Sequence, residues 1–357
     1  MSGQSIHYAD YLQLNTLLSA QGPLSDVHEE MLFIITHQAY ELWFKQMHHD
    51  VDSILAIFSQ NSIEERSLLK VLSRVKRLQE IMKVMSGQFD ILETMSPLEF
   101  LEFRHLLVPA SGFQSVQYRS LEVKLGLKMK ERTKEDQGFF TVHLREDERK
   151  ILEEIEAKDG LLQEISKWLE RFPFLEFSHF NFWDEFKKSV QKMLKGQENL
   201  YLNQSLTEEE KKRFLQFWKA EENHFESLFD ENLYEEELKS GRRKLSQKAM
   251  LSALFINFYR DEPLLHLPYQ LISSLIDLDE LFSTWRYRHT MLAQRMLGMR
   301  PGTGGSLGHR YLANTTQKNR LFLDFYALAT YLLPQKDRPA LPKELKEMLG
   351  HSYKQGS

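Results

Sequence analysis

The stretch Phe33–Phe44 (FIITHQAYELWF) has the apolar spacing of a helix and places one histidine among large apolar side chains. Phe33, Tyr40, Glu41 and Phe44 lie at i−4, i+3, i+4 and i+7 from His37, so they share a helix face with its imidazole. Such a ring is either a core histidine bonded to a neighbour or a contact for a ligand. Burial would keep it neutral and leave one ring nitrogen as an acceptor, which suits a planar ligand with an N–H, such as an indole.

The same helical periodicity extends over most of the 357 residues and predicts an all-α fold without strands. Asp26 with Glu29, and Thr207 with Glu210, have the spacing of capping boxes. Ser246 can cap a helix, and Pro268 suits a first turn. Helices are predicted over 26–59, 63–92, 96–107, 116–125, 145–170, 183–195, 207–229, 246–259, 268–298 and 317–332.

The chain has neither a repeat nor a linker long enough to separate two domains. We therefore expect one large helical domain over residues 1–357. Within it, residues 153–240 are more charged than the rest and are interpreted as a peripheral helical insertion. Residues 335–357 form a polar C-terminal tail that we expect to be ordered only in part.

The composition excludes several classes of site. Because the chain has no Cys, it lacks disulfides, thiolate-bound metals and cysteine nucleophiles, and it fits a cytoplasmic protein. The formal charge of −5 is too mild to imply nucleic acid or a membrane surface as a partner. Neither a signal peptide nor a transmembrane helix is predicted. The chain has 24 Phe, 13 Tyr and 5 Trp. Either the core is very aromatic, or some of these rings pack against flat ligands.

A second histidine, His289, lies in the predicted helix segment Leu281–Leu297. Trp285 stands one turn before it and Ala293 one turn after it. The small residue leaves room beside the imidazole and the Trp offers a flat wall, as an axial haem histidine on a helix needs. A core histidine is the alternative.

Two further features could contact a ligand. Arg104 is a permanent cation in an apolar helix, so it needs an anionic partner, either an internal Glu or the carboxylate of a substrate. The loop Gly302–Gly308 has four glycines but lacks the spacing and the preceding strand of a phosphate loop. It is either a simple linker or a flap that brings Thr303 close to a bound ligand.

Other histidines give weaker patterns. His48-x-Asp50 could begin an iron triad. Glu102-x-x-His105 and Glu221-x-x-His224 could belong to a di-iron bundle. Polar or terminal surroundings predict solvated or exposed side chains for His7, His28, His48, His49, His143, His179 and His351.

Six sequence blocks in order resemble the tryptophan 2,3-dioxygenase family nearly end to end. They are His7–Gln21, His28–Gln46, Leu92–Arg104, Pro109–Arg119, Phe180–Trp183 and Trp285–Leu312. The charged insertion looks like the longer animal form of the family. The resemblance implies an enzyme that cleaves the indole C2–C3 bond of L-tryptophan with O₂ and yields N-formyl-L-kynurenine. A haem enzyme for another indole and a non-catalytic haem or tryptophan sensor are the alternatives.

The resemblance also implies roles for single residues. His289 is expected to bind the iron of haem b, one per subunit, with Trp285 beside it and Ser111 near a propionate. His37 is expected to accept a hydrogen bond from the indole N–H, and Arg104 to bind the substrate carboxylate. Further substrate contacts are expected from Phe33, Ile34, Ile35, Thr36, Phe100, Phe103 and Thr303. Tyr8, Tyr11 and Leu12 match a segment that reaches a neighbouring subunit's site, which implies a homotetramer.

Overall fold

A computed structural model describes residues 6–132, 137, 144–202, 206–302 and 319–350. Its helices are α1 (Tyr8–Tyr11), α2 (Leu14–Leu18), α3 (His28–Phe58), α4 (Glu65–Leu92), α5 (Pro97–Arg104), α6 (Val116–Leu125), α7 (Glu146–Glu156), α8 (Leu161–Glu170), α9 (Phe182–Leu202), α10 (Glu208–Phe229), α11 (Glu231–Lys239), α12 (Gln247–Phe258), α13 (Pro263–Leu297), α14 (Leu323–Tyr331) and α15 (Lys343–Leu349). Short 3-10 turns cover His105–Leu107, Gly112–Gln114 and Met129–Glu131. The predicted all-α class is confirmed.

One detail departs from the prediction that the chain has no strands. The two-residue strand β1 (Glu176–Phe177) pairs antiparallel with β2 (Phe180–Asn181). Between them Ser178 has φ 52°, the left-handed conformation that a tight turn uses. A hairpin this short carries no alternating apolar pattern that a sequence could show.

Three long helices form the centre of the molecule. α4 packs along α13 over most of its length, and α3 packs along α4. Their buried positions recur every three or four residues, as Met47, Val51 and Ile54 do on α3. Each fully buried Leu, Val or Phe of this kind contributes about 1.5–3 kcal/mol relative to an exposed one. This packing fixes the two histidine-bearing helices, α3 and α13, against a common partner.

The charged insertion shares the main hydrophobic core. Phe182 and Phe186 of α9 and Phe225 of α10 are buried in the same cluster as the residues of α3 and α4. The hydroxyl of Tyr234 on α11 donates to the carbonyl of Leu245 at 2.9 Å. Helix α11 was not among the predicted helices. The single domain stays a prediction, which these shared contacts support.

The helix starts agree with the predictions at two caps and differ at a third. Thr207 accepts from the N–H of Glu210, and Ser246 accepts from the N–H of Ala249, as predicted. The predicted cap at Asp26 is wrong, because α3 begins at His28 and its N-cap residue makes no side-chain bond. Instead, the Glu30 carboxylate accepts from the N–H groups of the loop that precedes α3.

Two predicted helix boundaries were also wrong. The segment 145–170 divides at Gly160, where a Cβ atom would lie 2.8 Å from the carbonyl oxygen of Val123. Only glycine allows this close approach of α8 to α6. In α13, Pro263 takes the first turn, and Pro268 lies inside the helix.

The C-terminal part contains more structure than its polar composition indicates. α14 begins at Leu323, later than the predicted start at 317, which lies outside the described residues. Within the predicted tail, α15 buries Leu345 and Leu349. Residues 351–357 lie outside the described residues as well.

In the described parts of the chain no helix is both long enough and apolar enough to cross a membrane. α13 is the longest, at 35 residues, but charged side chains such as Asp279 and Arg286 recur along it. The cytoplasmic location and the absence of a nucleic-acid partner stay predictions.

Candidate active site

A cavity of about 330 Å³ lies between α3, α5, α6 and α13. Seven residues that the sequence pointed to line it: Phe33, His37, Phe100, Arg104, Ser111, Trp285 and His289. They come from four separate segments of the chain, so only the tertiary packing brings them together.

The tautomer of His37 follows from a local contact on α3. Its Nδ1 lies 2.7 Å from the carbonyl oxygen of Phe33, one turn earlier. Because a carbonyl oxygen can only accept, Nδ1 carries the N–H and donates it. The Nε2 of the neutral ring then keeps its lone pair. Since the ring lines the cavity, this nitrogen can accept a hydrogen bond from a ligand N–H.

The surroundings of His37 favour the neutral imidazole. The His37 side chain is exposed because it borders the open cavity. Packed protein atoms withdraw the ring from bulk water and lower its pKa below the ordinary value. The Phe33 carbonyl and the Glu41 carboxylate act in the opposite direction without cancelling this effect.

Phenylalanine rings form an aromatic wall beside the imidazole. The Phe33 ring centroid lies 4.1 Å from that of His37 and 5.8 Å from that of Phe100, with an angle of 30° between the two Phe rings. Phe103 meets both Phe rings edge-on, at 5.7 and 5.5 Å. It is fully buried behind the wall and does not line the cavity. Such a wall suits a flat aromatic ligand.

Arg104 has unused hydrogen-bonding capacity at this wall. Its Nη2 donates to the carbonyl of Pro301, at the base of the glycine-rich loop. Its Nε is buried and has no hydrogen-bond partner in the part of the chain that the structure describes. The alternative of an internal ion pair with a Glu is not observed for Arg104 within the described ranges. A buried guanidinium N–H without a partner is costly, so this group is ready to bind an anion.

The opposite side of the cavity is built around His289. Its imidazole lies 6.2 Å from the ring of Phe89, at an interplanar angle of 11°, and 5.7 Å from the ring of Trp285. Ala293, one turn on, also lines the cavity. Burial, together with the charge that His37 would carry, lowers the pKa of His289 to about 4. The ring is therefore neutral near pH 7, as a metal ligand must be.

A buried ionic network that the sequence patterns did not predict lies at one end of the cavity. The Glu122 carboxylate accepts from Arg132 at 2.9 Å and from Arg286 at 2.6 Å. Burial alone would raise the pKa of Glu122, but the two guanidinium groups outweigh it and lower the value to about 2. Arg119 is also buried and lines the cavity. Guanidinium groups from three positions therefore meet at this end of the cavity.

A signal for this network was present in the sequence. Arg119 and Glu122 fall within one turn of a short helix, and Arg286 directly follows Trp285. A charged side chain in an apolar helix needs a partner of opposite charge, as Arg104 also does. Which charges pair could not be read from the sequence, because α6 and α13 are far apart along the chain.

Glu41 is a second missed residue of the cavity wall. Its carboxylate accepts from the hydroxyl of Ser115 at 2.6 Å and from the side-chain amide of Gln117 at 2.7 Å. The signal for Glu41 was its position four residues after His37, which places both on one helix face.

Several predicted contacts are not part of this cavity. Ile34, Ile35 and Thr36 belong to α3 but do not line it. The exposed fractions of Tyr8, Tyr11 and Leu12 are 71%, 73% and 41%, and none of the three lines it either. Thr303 lies outside the described residues, whereas its neighbour Gly302 lines the cavity.

The alternative iron sites find no support in the described part of the chain. No group of three or more His, Asp or Glu side chains there is placed to hold a metal ion. His105 and His224, the histidines of the two Glu-x-x-His elements, are exposed. His48 was expected to be exposed, which is wrong: it is half-buried, and its Nε2 lies 2.8 Å from the carbonyl oxygen of Gln117.

Comparison with known proteins identifies close relatives. The family model described as tryptophan 2,3-dioxygenase matches residues 1–332. A tryptophan 2,3-dioxygenase of Alteromonas mediterranea is 44% identical over 96% of this chain and 97% of its own. One of Bdellovibrio bacteriovorus is 43% identical over 98% and 99%, and one of Dictyostelium discoideum is 42% identical over 98% and 89%. Because bacterial relatives match nearly end to end, the insertion is not restricted to an animal form.

Glu122→Gln tests the ionic network. At pH 7 the variant should lose about 3–5 kcal/mol of unfolding free energy, because two buried guanidinium groups lose their counter-charge. The native pKa of Glu122 is lowered, so its contribution is complete above the unfolded value near 4.5 and is lost as the pH falls towards 2. Urea unfolding of both proteins between pH 7 and 3 should therefore show the gap narrowing below about pH 4.5. A gap that stays constant over this range would contradict the assignment.

Proposed function

This chain belongs to the tryptophan 2,3-dioxygenase family, and on that premise we propose how its cavity holds cofactor and substrate. The protein is a haem-dependent dioxygenase that acts on L-tryptophan. The reaction breaks the indole C2–C3 bond, adds one oxygen atom of O₂ to each of these carbons, and yields N-formyl-L-kynurenine. The family match favours this enzyme over a haem enzyme for another indole and over a sensor.

The cofactor we propose is haem b, one per subunit, whose iron His289 would hold. The donor set fits this group. His289 offers a neutral imidazole, Trp285 and Phe89 give it aromatic neighbours, and Ala293 is small. When bound, the haem supplies the redox chemistry that activates dioxygen.

The charged end of the cavity supports this choice of cofactor. Haem b carries two propionate carboxylates, which need cations or N–H donors when they are buried. Arg119, Arg132 and Arg286 supply guanidinium groups at this end of the cavity, and Glu122 pairs with the last two. Ser111, on the loop before α6, lines the cavity and is proposed to lie near a propionate.

The substrate is proposed to be held by its two ends. The aromatic wall of Phe33 and Phe100 packs against the indole, while Phe103 supports both rings from behind. Arg104 binds the carboxylate with its guanidinium N–H groups, including the Nε that has no partner among the described residues. Thr303 is proposed to contact the amino-acid end, and Ile34, Ile35 and Thr36 to shape the segment around Phe33. Two fixed ends orient the indole edge for the reaction.

His37 is proposed to be the catalytic residue that touches the reacting ring. Its Nε2 accepts the hydrogen bond of the indole N–H, because Nδ1 is engaged as a donor to Phe33. The indole N–H is a far weaker acid than an imidazolium, so His37 orients the ring and stabilises developing positive charge without removing a full proton. The single observation that carries the proposal is that His37, Arg104 and His289 line one cavity.

His289→Ala tests the cofactor assignment. The variant should lose bound haem, because the described lining of the cavity holds no histidine besides His37 and His289. The readout is Soret absorbance per mole of protein after reconstitution with haem. His266→Ala is the matched control, since His266 is an exposed histidine of the same helix. Normal haem content in His289→Ala would contradict the axial role.

Arg104→Leu tests the carboxylate clamp. In this variant the substrate carboxylate lies in a dry pocket without its partner. The binding free energy should therefore weaken by about 2–5 kcal/mol, which should raise the KM for L-tryptophan. Haem content should stay normal. Arg295→Leu is the control, because Arg295 is an exposed arginine at the end of α13. An unchanged KM in Arg104→Leu would rule out the clamp.

The assembly we propose is a homotetramer in which the N-terminal segment of one subunit completes a neighbour's site. Large apolar side chains there are left exposed, with Ile6, Tyr8, Tyr11 and Leu18 each above 70%. Exposed apolar surface on this scale is typical of an interaction site.

Light scattering of the purified protein should give four times the 42.3 kDa chain mass. The double variant Tyr8→Ala, Tyr11→Ala should raise the KM for L-tryptophan and keep its haem, because these rings contribute to a neighbour's substrate site. Leu24→Ala, also on an exposed side chain, serves as the control. A monomeric mass would refute the assembly, and an unchanged KM would remove the two tyrosines from the site.

A further inference from the structure

Glu41 is a carboxylate on the cavity wall that forms no ion pair with any described Lys or Arg. The other carboxylate of the wall, Glu122, is offset by Arg132 and Arg286. Among the described residues that line this cavity, Glu41 is therefore the carboxylate without a paired cation.

The carboxylate of Glu41 is held in place by a different segment of the chain. Its Oε1 accepts from the Ser115 hydroxyl at 2.6 Å, and its Oε2 accepts from the Gln117 amide at 2.7 Å. Gln117 also donates to the main-chain oxygen of Glu41 at 3.0 Å. Ser115 is in turn the N-cap of α6, where its oxygen accepts from the N–H of Tyr118. With both oxygens engaged, the charge has a fixed position.

That fixed position is one helical turn beyond His37. Residues four apart on a helix are neighbours, about 5–6 Å between Cβ atoms. The Glu41 charge acts on the imidazole in the direction that favours positive charge on it. When a substrate N–H donates to Nε2, positive character develops on the ring, and a carboxylate one turn along the helix stabilises it.

We propose that Glu41 is a positioning residue for the reaction, whose anchored carboxylate strengthens His37 as the acceptor of the substrate N–H. The inference rests on the proposed function, since it assumes that His37 contacts the indole. Glu41 itself acts only through the imidazole. Ser115 and Gln117 keep the carboxylate from turning towards solvent.

A double-mutant cycle between positions 41 and 37 tests this. Glu41→Gln keeps the shape of the side chain and removes its charge. In the otherwise native holoenzyme it should lower kcat/KM for L-tryptophan about tenfold and weaken tryptophan binding in equilibrium dialysis. In the His37→Ala background the same substitution should change both values less than about twofold, because the ring that it acts on is gone.

Glu30→Gln is the matched control for the anchoring function alone. Glu30 is a buried carboxylate of the same helix that accepts main-chain N–H groups, but it does not line the cavity. Glu30→Gln should lower the thermal stability. It should change kcat/KM equally with and without His37, so the coupling energy between positions 30 and 37 is zero.

Two results would overturn the inference while the proposed function stands. One is an equal loss from Glu41→Gln in both backgrounds, which is what a purely structural role produces. The other is no loss in the native background. If His37→Ala alone changes neither binding nor turnover, the role of His37 fails first. Should Glu41→Gln not fold, Glu41→Asp keeps the charge, and its loss should be smaller than tenfold and absent without His37.

Discussion

The constraint on which this site depends is the cost of leaving a polar group buried without a partner, about 1–3 kcal/mol for a hydrogen bond that is not made. Glu122 avoids this cost within the chain, because Arg132 and Arg286 donate to its carboxylate. Arg104 does not, since its buried Nε has no partner among the described residues. His37 uses only Nδ1, towards Phe33. The remaining capacity of Arg104 and His37 is what the substrate is proposed to use.

Charge is distributed unevenly around the cavity, and this matches the chemistry of the two proposed ligands. The end at α6 gathers the guanidinium groups of Arg119, Arg132 and Arg286, which are suited to carboxylates. The cavity walls between these guanidinium groups and Arg104 are aromatic. Both histidines have lowered pKa values, because the packed surroundings disfavour their charged forms. The proposed roles, metal ligand at 289 and hydrogen-bond acceptor at 37, both require a neutral imidazole. Burial thus tunes two different functions with one physical effect.

The relation between sequence and structure differs from residue to residue. The helical class, the caps at Thr207 and Ser246, and the cavity positions of His37, Arg104 and His289 all followed from local patterns or from family resemblance. The break at Gly160 did not, because it depends on the approach of the Val123 carbonyl from another helix. Helix α15 was missed for a similar reason, since its polar sequence buries only Leu345 and Leu349 against the rest of the fold. The network around Glu122 needed a pairing between segments that no local pattern contains.

The sequence by itself determined the helical architecture and the residue types that the chemistry needs, because helix periodicity and capping act over a few residues. It also showed that Glu41 shares a helix face with His37. Only the tertiary structure decided that this carboxylate is fixed by Ser115 and Gln117, that the Nδ1 of His37 is a donor, and that Phe103 lies behind the wall. These features depend on which surfaces of α3, α5, α6 and α13 meet, and that is set by how the whole core packs.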